Sequence, residues 1–139
     1  MGAPGAAPGD GLTVTVCRPA PGVGVVRAVG EIDIANAHRW GRVLADLGHD
    51  LVHHDDAPRR GGGRGRLVCD LTGVEFFGAA GMGVLAQTAA LAASAGVGLR
   101  IVADSHPVLR PITALGLDRQ LCIDAHLVSA ITHAVRRRR

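Results

Sequence analysis

The chain has 139 residues, 47% hydrophobic and 2% aromatic, enough for one compact domain and too few for two autonomous cores. Its 15 basic residues are all arginine and face 12 acidic ones, but four of them are the terminal run Arg136 to Arg139, so the rest carries 11 against 12, a net −1. The high pI therefore belongs to a tail. With Trp40, Phe76 and Phe77 as the only aromatics, the stacking platforms of single-stranded nucleic-acid binding are missing too, and no direct nucleic-acid contact is expected.

No run approaches the roughly 18 uninterrupted apolar residues of a membrane span; the Ala-rich stretch after Met82 is broken by Gln87 and Thr88. Residues 1–11, rich in Gly and Pro, have neither the basic start nor the apolar core of a secretory signal. A cytoplasmic protein with no membrane partner is expected, with a disordered lead-in over residues 1–11.

Leu12 to Cys17 alternates apolar and polar residues, Pro19 to Gly22 supplies a turn, and Val23 to Val29 is a second β-rich run, which predicts an antiparallel hairpin. Gly30-Glu-Ile-Asp33 leads into an amphipathic helix over Ala35 to Leu47, with Ala37, Trp40, Val43, Leu44 and Leu47 at helical spacing and Gly48 as its stop. Residues 49–65 have no periodicity that would bury a face and predict a long flexible loop. His49, His53, His54, Asp55 and Asp56 there form the one cluster of metal-capable side chains. A spacing of four would align His49 and His53 on a helix, but the segment lacks helix signals, so a solvated loop is preferred and no metal is expected. Arg59, Arg60, Arg64 and Arg66 give the loop a basic end, suited either to an acidic partner or to solubility.

Arg66 to Leu71 reads as a short strand, and after a turn over Thr72 to Gly78 a long helix runs from Ala79 to Ala95, ended by Gly96-Val-Gly98. Leu99 to Ala103 is the next strand, and Asp104-Ser-His-Pro107 opens a helix over Val108 to Leu115 that stops at Gly116. Gln120 to Asp124 and Leu127 to Val135 complete the series as strand and helix. Residues 136–139 are a basic tail, able to touch phosphate or acidic protein, or simply a frayed helix end that favours cations. The alternation predicts an α/β fold: a mixed, mostly parallel sheet started by the hairpin and packed with about four helices, one domain over residues 12–135. Cys17, Cys69 and Cys122, odd in number and each among strand-like residues, read as buried free thiols rather than a disulfide framework or a zinc site.

The informative segment is Asp70-Leu-Thr-Gly-Val-Glu-Phe-Phe-Gly-Ala-Ala-Gly-Met-Gly-Val-Leu85. Gly78, Gly81 and Gly83 fall where a strand passes into a helix. They either let backbone approach a partner or an anion closely, or only allow tight helix packing. No Gly-Lys-Ser/Thr follows, so this is not a P-loop. No nucleophile with a neighbouring base, paired carboxylate motif or Walker sequence is visible, and catalysis is not expected.

This segment resembles the STAS domain family, and within it the single-domain anti-sigma factor antagonists of bacteria, whose pattern is Asp-Leu-Ser-Gly-Val-x-Phe-Ile-Asp-Ser-Ser-Gly-Leu-Gly-Val-Leu. Gly30-Glu-Ile-Asp33, Gly98-Leu-Arg-Ile-Val102 and Leu115-Gly-Leu-Asp118 resemble three further family motifs in the same order, so the resemblance covers about Leu12 to Ala134. It implies the STAS fold and a switch protein that binds a kinase-type anti-sigma factor and so frees a sigma factor, without a cofactor. In the family one Ser is phosphorylated to turn binding off. Here that position is Ala80, the preceding Ser is Ala79 and the motif's Asp is Gly78, so the acceptor hydroxyl is absent.

The resemblance makes Glu31, Asp33, Gly78, Ala79, Ala80, Gly81, Met82, Gly83 and Ser105 the candidate partner-binding residues, all at one end of the sheet. Asp33 and Ser105 have an alternative role as helix caps. A competing reading keeps the fold but makes it a small-anion or nucleotide-sensing module with another protein partner. Self-association is left open.

Overall fold

In the computed structural model, described over residues 10–53 and 65–136, five strands and four α-helices follow one another as β1 (Leu12–Ala20), β2 (Val23–Ile32), α1 (Ala37–His53), β3 (Arg66–Phe77), α2 (Ala79–Ala95), β4 (Gly98–Val102), α3 (His106–Ala114), β5 (Cys122–Asp124) and α4 (Leu127–Arg136). A 3-10 turn, Leu117–Arg119, precedes β5. The sheet order is β1-β2-β3-β4-β5, with β1 antiparallel to β2 and every later pairing parallel. This is the mixed sheet that the alternation of elements predicts.

The inner strands are apolar on both faces because both are covered. Val26, Ala28 and Ile32 of β2 and Leu67, Cys69 and Leu71 of β3 join a core with Trp40 and Leu44 of α1, Leu85 of α2 and Ile112 of α3. On the opposite face Val23, Val25, Val68 and Val102 pack with Ala130 and Ala134 of α4. Asp124 of β5 ties that layer together, accepting from Arg100 Nε of β4 at 2.7 Å and lying 2.9 Å from His133 Nδ1 of α4. Burial raises the Asp124 carboxyl, but the hydrogen bond from Arg100, that cation's charge and the contact with His133 outweigh it and hold the group below its ordinary range.

Several boundaries differ from the sequence reading. Helix α1 does not stop at Gly48 but continues to His53, because Leu51, fully buried, extends the stripe of Leu44 and Leu47 by one turn. Burying that leucine outweighs the roughly 1 kcal/mol cost of an internal glycine. Thus His49 and His53 lie on a helix, their ring centroids 4.2 Å apart, whereas His54, Asp55, Asp56, Arg59, Arg60 and Arg64 lie outside the described residues. Strand β3 runs through the expected turn to Phe77, since β2 pairs with it as far as Ile32.

The fold also begins before residue 12. Asp10 Oδ2 accepts from Arg39 Nη2 at 2.6 Å, which holds its carboxyl below the usual range, and Gly11 O accepts from Glu31 N at 3.0 Å. That last contact explains Gly30, whose φ of +114° disfavours any side chain and whose Cβ would strike the Gly11 carbonyl oxygen. Finally, only Cys69 is a buried thiol; Cys17 and Cys122, on the edge strands, are exposed. Burial pushes the Cys69 thiol up to about 12.

Candidate functional site

Parallel pairing brings the carboxyl ends of β2 and β3 together, and Gly78 N–H donates to Ile32 O at 3.0 Å, so Glu31, Asp33 and the start of α2 share one end of the sheet. Glu31 is exposed beside Phe76, its neighbour across the ladder. Asp33 closes the turn that leads into α1, whose first residue is Ala37: its Oδ1 accepts from Ala35 N at 2.9 Å, while its own N–H donates to Asn36 Oδ1 at 3.0 Å. Such reciprocal bonding fixes the chain's entry into α1. Asn36, fully buried, also donates through Nδ2 to Asp10 O at 2.8 Å and Glu31 O at 2.9 Å, locking three segments behind the site.

At the start of α2, Gly78 is extended (φ −85°, ψ −179°) and caps with no side chain, and the first turn carries no acidic residue. That backbone conformation is open to any residue. Ala79 and Gly83 are exposed and Ala80 is half-buried against the core. Gly81 and Met82 are buried, which corrects their expected place in a partner-binding surface. A Cβ at Gly81 would come within 2.7 Å of Phe77 Cε1 and 2.8 Å of Ile32 Cγ2, so this glycine serves close packing of α2 on the sheet. Met82, only 4% exposed, points the same way into the core.

Ser105 stands apart from this cluster. Val102 pairs with Asp70, so β4 ends seven residues before β3 does, and the loop carrying Ser105 starts well back along β3 from Gly78. Ser105 occupies the N-cap of α3, where its carbonyl accepts from Leu109 N at 2.9 Å, but its Oγ makes no capping bond and is buried without a partner.

Two exposed apolar side chains beside the Gly78 turn were absent from the candidate residues: Ile34, 89% exposed, and Phe76, 52% exposed. A Cβ at Gly78 would lie 3.0 Å from Phe76 Cε2, so the ring flanks the turn. The signal for Phe76 was strand alternation: Phe77 is buried edge-on against Trp40, ring centroids 5.9 Å apart, which turns Phe76 outward. Ile34 had no such signal, because it follows the strand. Among the described residues no group of three His, Cys, Asp or Glu could hold a metal ion, and no helix is long and apolar enough to cross a membrane.

The site is therefore a strand-to-helix junction with an exposed apolar rim, and the chain's likeness to known proteins can be set beside it. The Mycobacterium tuberculosis protein Rv2638, described as an anti-anti-sigma factor, is 32% identical over 99 residues, and the match spans only 60% of that protein's length. RsfA of the same species, an anti-sigma-F factor antagonist, is 32% identical over 78% of this chain and 77% of its own length. The crystal structure of an anti-sigma factor antagonist from Mycobacterium paratuberculosis superposes with a TM-score of 0.73 and 29% identity, covering 97% of this chain and 99% of that one. A model of the STAS domain matches residues 16–130, from within β1 through the Gly78 turn to the first turn of α4, and the chain belongs to the STAS domain family.

Proposed function

We propose that this protein is an anti-sigma factor antagonist: a cytoplasmic, non-enzymatic module that binds a kinase-type anti-sigma factor and thereby frees a sigma factor. It docks through Glu31, Ile34, Phe76, Gly78 and Ala79, with Gly83 of α2 exposed beside them. The observation that carries the reading is the build of that end of the sheet, where the strand-to-helix junction at Gly78 is flanked by exposed apolar side chains, Ile34 and Phe76. The names of the relatives point the same way.

Regulation differs from a phosphate switch, because no side chain from Gly78 to Gly83 bears a hydroxyl. A phosphate there would bring nearly two negative charges to a helix N-terminus within the docking surface. With Ala80 in that place, binding is set by the amounts of the two proteins and not by a covalent mark.

The test incubates the purified protein with the kinase-type anti-sigma factors of its own organism, with ADP and separately with ATP, and measures complex and incorporated phosphate together. Complex formation with both nucleotides and no phosphate on the chain is expected. Absence of a complex with any of them overturns the docking reading. A complex that ATP dissolves with phosphate on Thr72 or Ser105 overturns constitutive binding. Stabilisation by a nucleotide alone, with no protein complex, would favour the sensing module instead.

A further inference from the structure

On the helical face of the sheet, away from the Gly78 turn, α1 and α2 part to leave a cleft of about 570 Å³. That is within the roughly 300–1,000 Å³ of ordinary small-molecule sites. Its origin lies in the two helix faces: α1 presents Gly41, Ala45 and Gly48, and α2 presents Thr88, Ala92 and Ala95. At Gly41 the helices meet, and a Cβ there would sit 3.1 Å from Val84 Cγ1. Near Gly48 they have separated, and a Cβ there would meet nothing within 4 Å.

The floor is apolar, with Leu44, Leu67 and Val97 only 1%, 2% and 6% exposed. Leu91 forms part of a wall and leaves 57% of its surface uncovered. The rim has a different character: His38, Arg42, His49 and His53 line it from α1, and no carboxylate lines the cleft among the described residues. Asp50 of α1 is turned toward Arg18 at 3.3 Å, and Asp46 is exposed outside the lining. Arg42 has no carboxylate partner among the described residues, so its guanidinium is available to a ligand.

An apolar trough beneath a donor-rich rim with a free cation complements one kind of molecule, a hydrocarbon chain ending in a carboxylate. We propose that the α1–α2 cleft binds a small amphiphilic carboxylate, its chain lying between the helices over Leu44 and Leu67 and its head held by Arg42. The site is separate from the docking surface, and its test needs no anti-sigma factor.

Decanoate, kept below its micelle concentration, is titrated into isotopically labelled protein while amide resonances are followed, with decanol and decylamine as controls. Decanoate is expected to move the signals of Gly48, Thr88 and Leu91 and to bind more tightly than either control. Arg42→Gln should weaken decanoate roughly tenfold and leave decanol unchanged. Gly48→Leu fills the open space with a better helix former and should abolish binding without lowering the unfolding midpoint. The proposal is overturned if decanoate moves no signal, if decanol binds as tightly, or if Gly48→Leu binds as the parent does. It also fails if sedimentation reveals a dimer that Gly48→Leu dissociates, since a second copy would then occupy the cleft.

Discussion

Replacing Asn36 by Ala removes three hydrogen bonds from a fully buried side chain, those to Asp10 O (2.8 Å), Glu31 O (2.9 Å) and Asp33 N (3.0 Å). At about 1 kcal/mol each, with water reaching some of the freed backbone groups, the loss should be about 2–3 kcal/mol. For a chain of this length that lowers the melting temperature by roughly 6–12 °C. Asn36→Asp sharpens the test: it keeps the acceptor for Asp33 N but turns a carboxylate oxygen toward two carbonyl oxygens. It should be less stable than Asn36→Ala at neutral pH and recover part of the difference in acid, once protonated. Thermal and urea unfolding of the three proteins at pH 7 and pH 5 measures both effects. An Asn36→Ala variant within about 0.5 kcal/mol of the parent, or an Asn36→Asp variant no less stable than Asn36→Ala at pH 7, would refute the assignment of Asn36 as the lock behind the Gly78 end of the sheet.

Ile34→Ser alters an almost fully exposed side chain and should leave the unfolding free energy within about 0.5 kcal/mol, whereas Phe76→Ser, which removes a half-buried ring, should cost about 1–2 kcal/mol; anti-sigma factor affinity should fall roughly tenfold or more for each, and titration calorimetry showing unchanged affinity would remove them from the interface. Asp124 has a lowered carboxyl in the folded state, so its stabilising contribution is fully present above its unfolded value of about 3.9 and is lost as pH falls through the folded value. Acid titration of stability should therefore be flatter in Asp124→Asn than in the parent below about pH 4, and parallel curves would exclude the Arg100–Asp124–His133 cluster as a source of acid sensitivity. At pH 8 a thiol reagent should label Cys17 and Cys122 of the native chain and reach Cys69 only on unfolding; rapid native labelling of all three, counted by mass spectrometry, would contradict its burial.

The elements were legible where a single period dominated. The α2 boundaries follow from Gly78 and the Gly96-Val-Gly98 stop, and the parallel order follows from alternating strands and helices. What escaped depended on tertiary partners. Gly48 looks like a helix end until Leu51 is seen to have a place in the core, and the segment after Leu71 looks like a turn until β2 is seen to pair with it. At the Gly78 end of the sheet the motif located the turn, but a motif does not say which side chains face outward. Gly81 and Met82 are inside because α2 lies flat on Ile32 and Phe77, whereas Ile34 is outside because β2 has already ended. Asn36, with no signature beyond being polar in a turn, became visible only through its three hydrogen bonds.

The identity of strand order and chain order bears on how the protein is made. Each of β3, β4 and β5 adds to the free edge left by the strand before it, and no strand has to force its way between two that are already paired. Assembly can thus follow synthesis, the N-terminal hairpin offering its β2 edge to β3 once α1 has crossed over, and each later crossover needing only the preceding edge. The same order makes the three-residue β5 the last edge to form. The Arg100–Asp124–His133 cluster, which draws on β4, β5 and α4 together, therefore closes the sheet only after α4 has been synthesised.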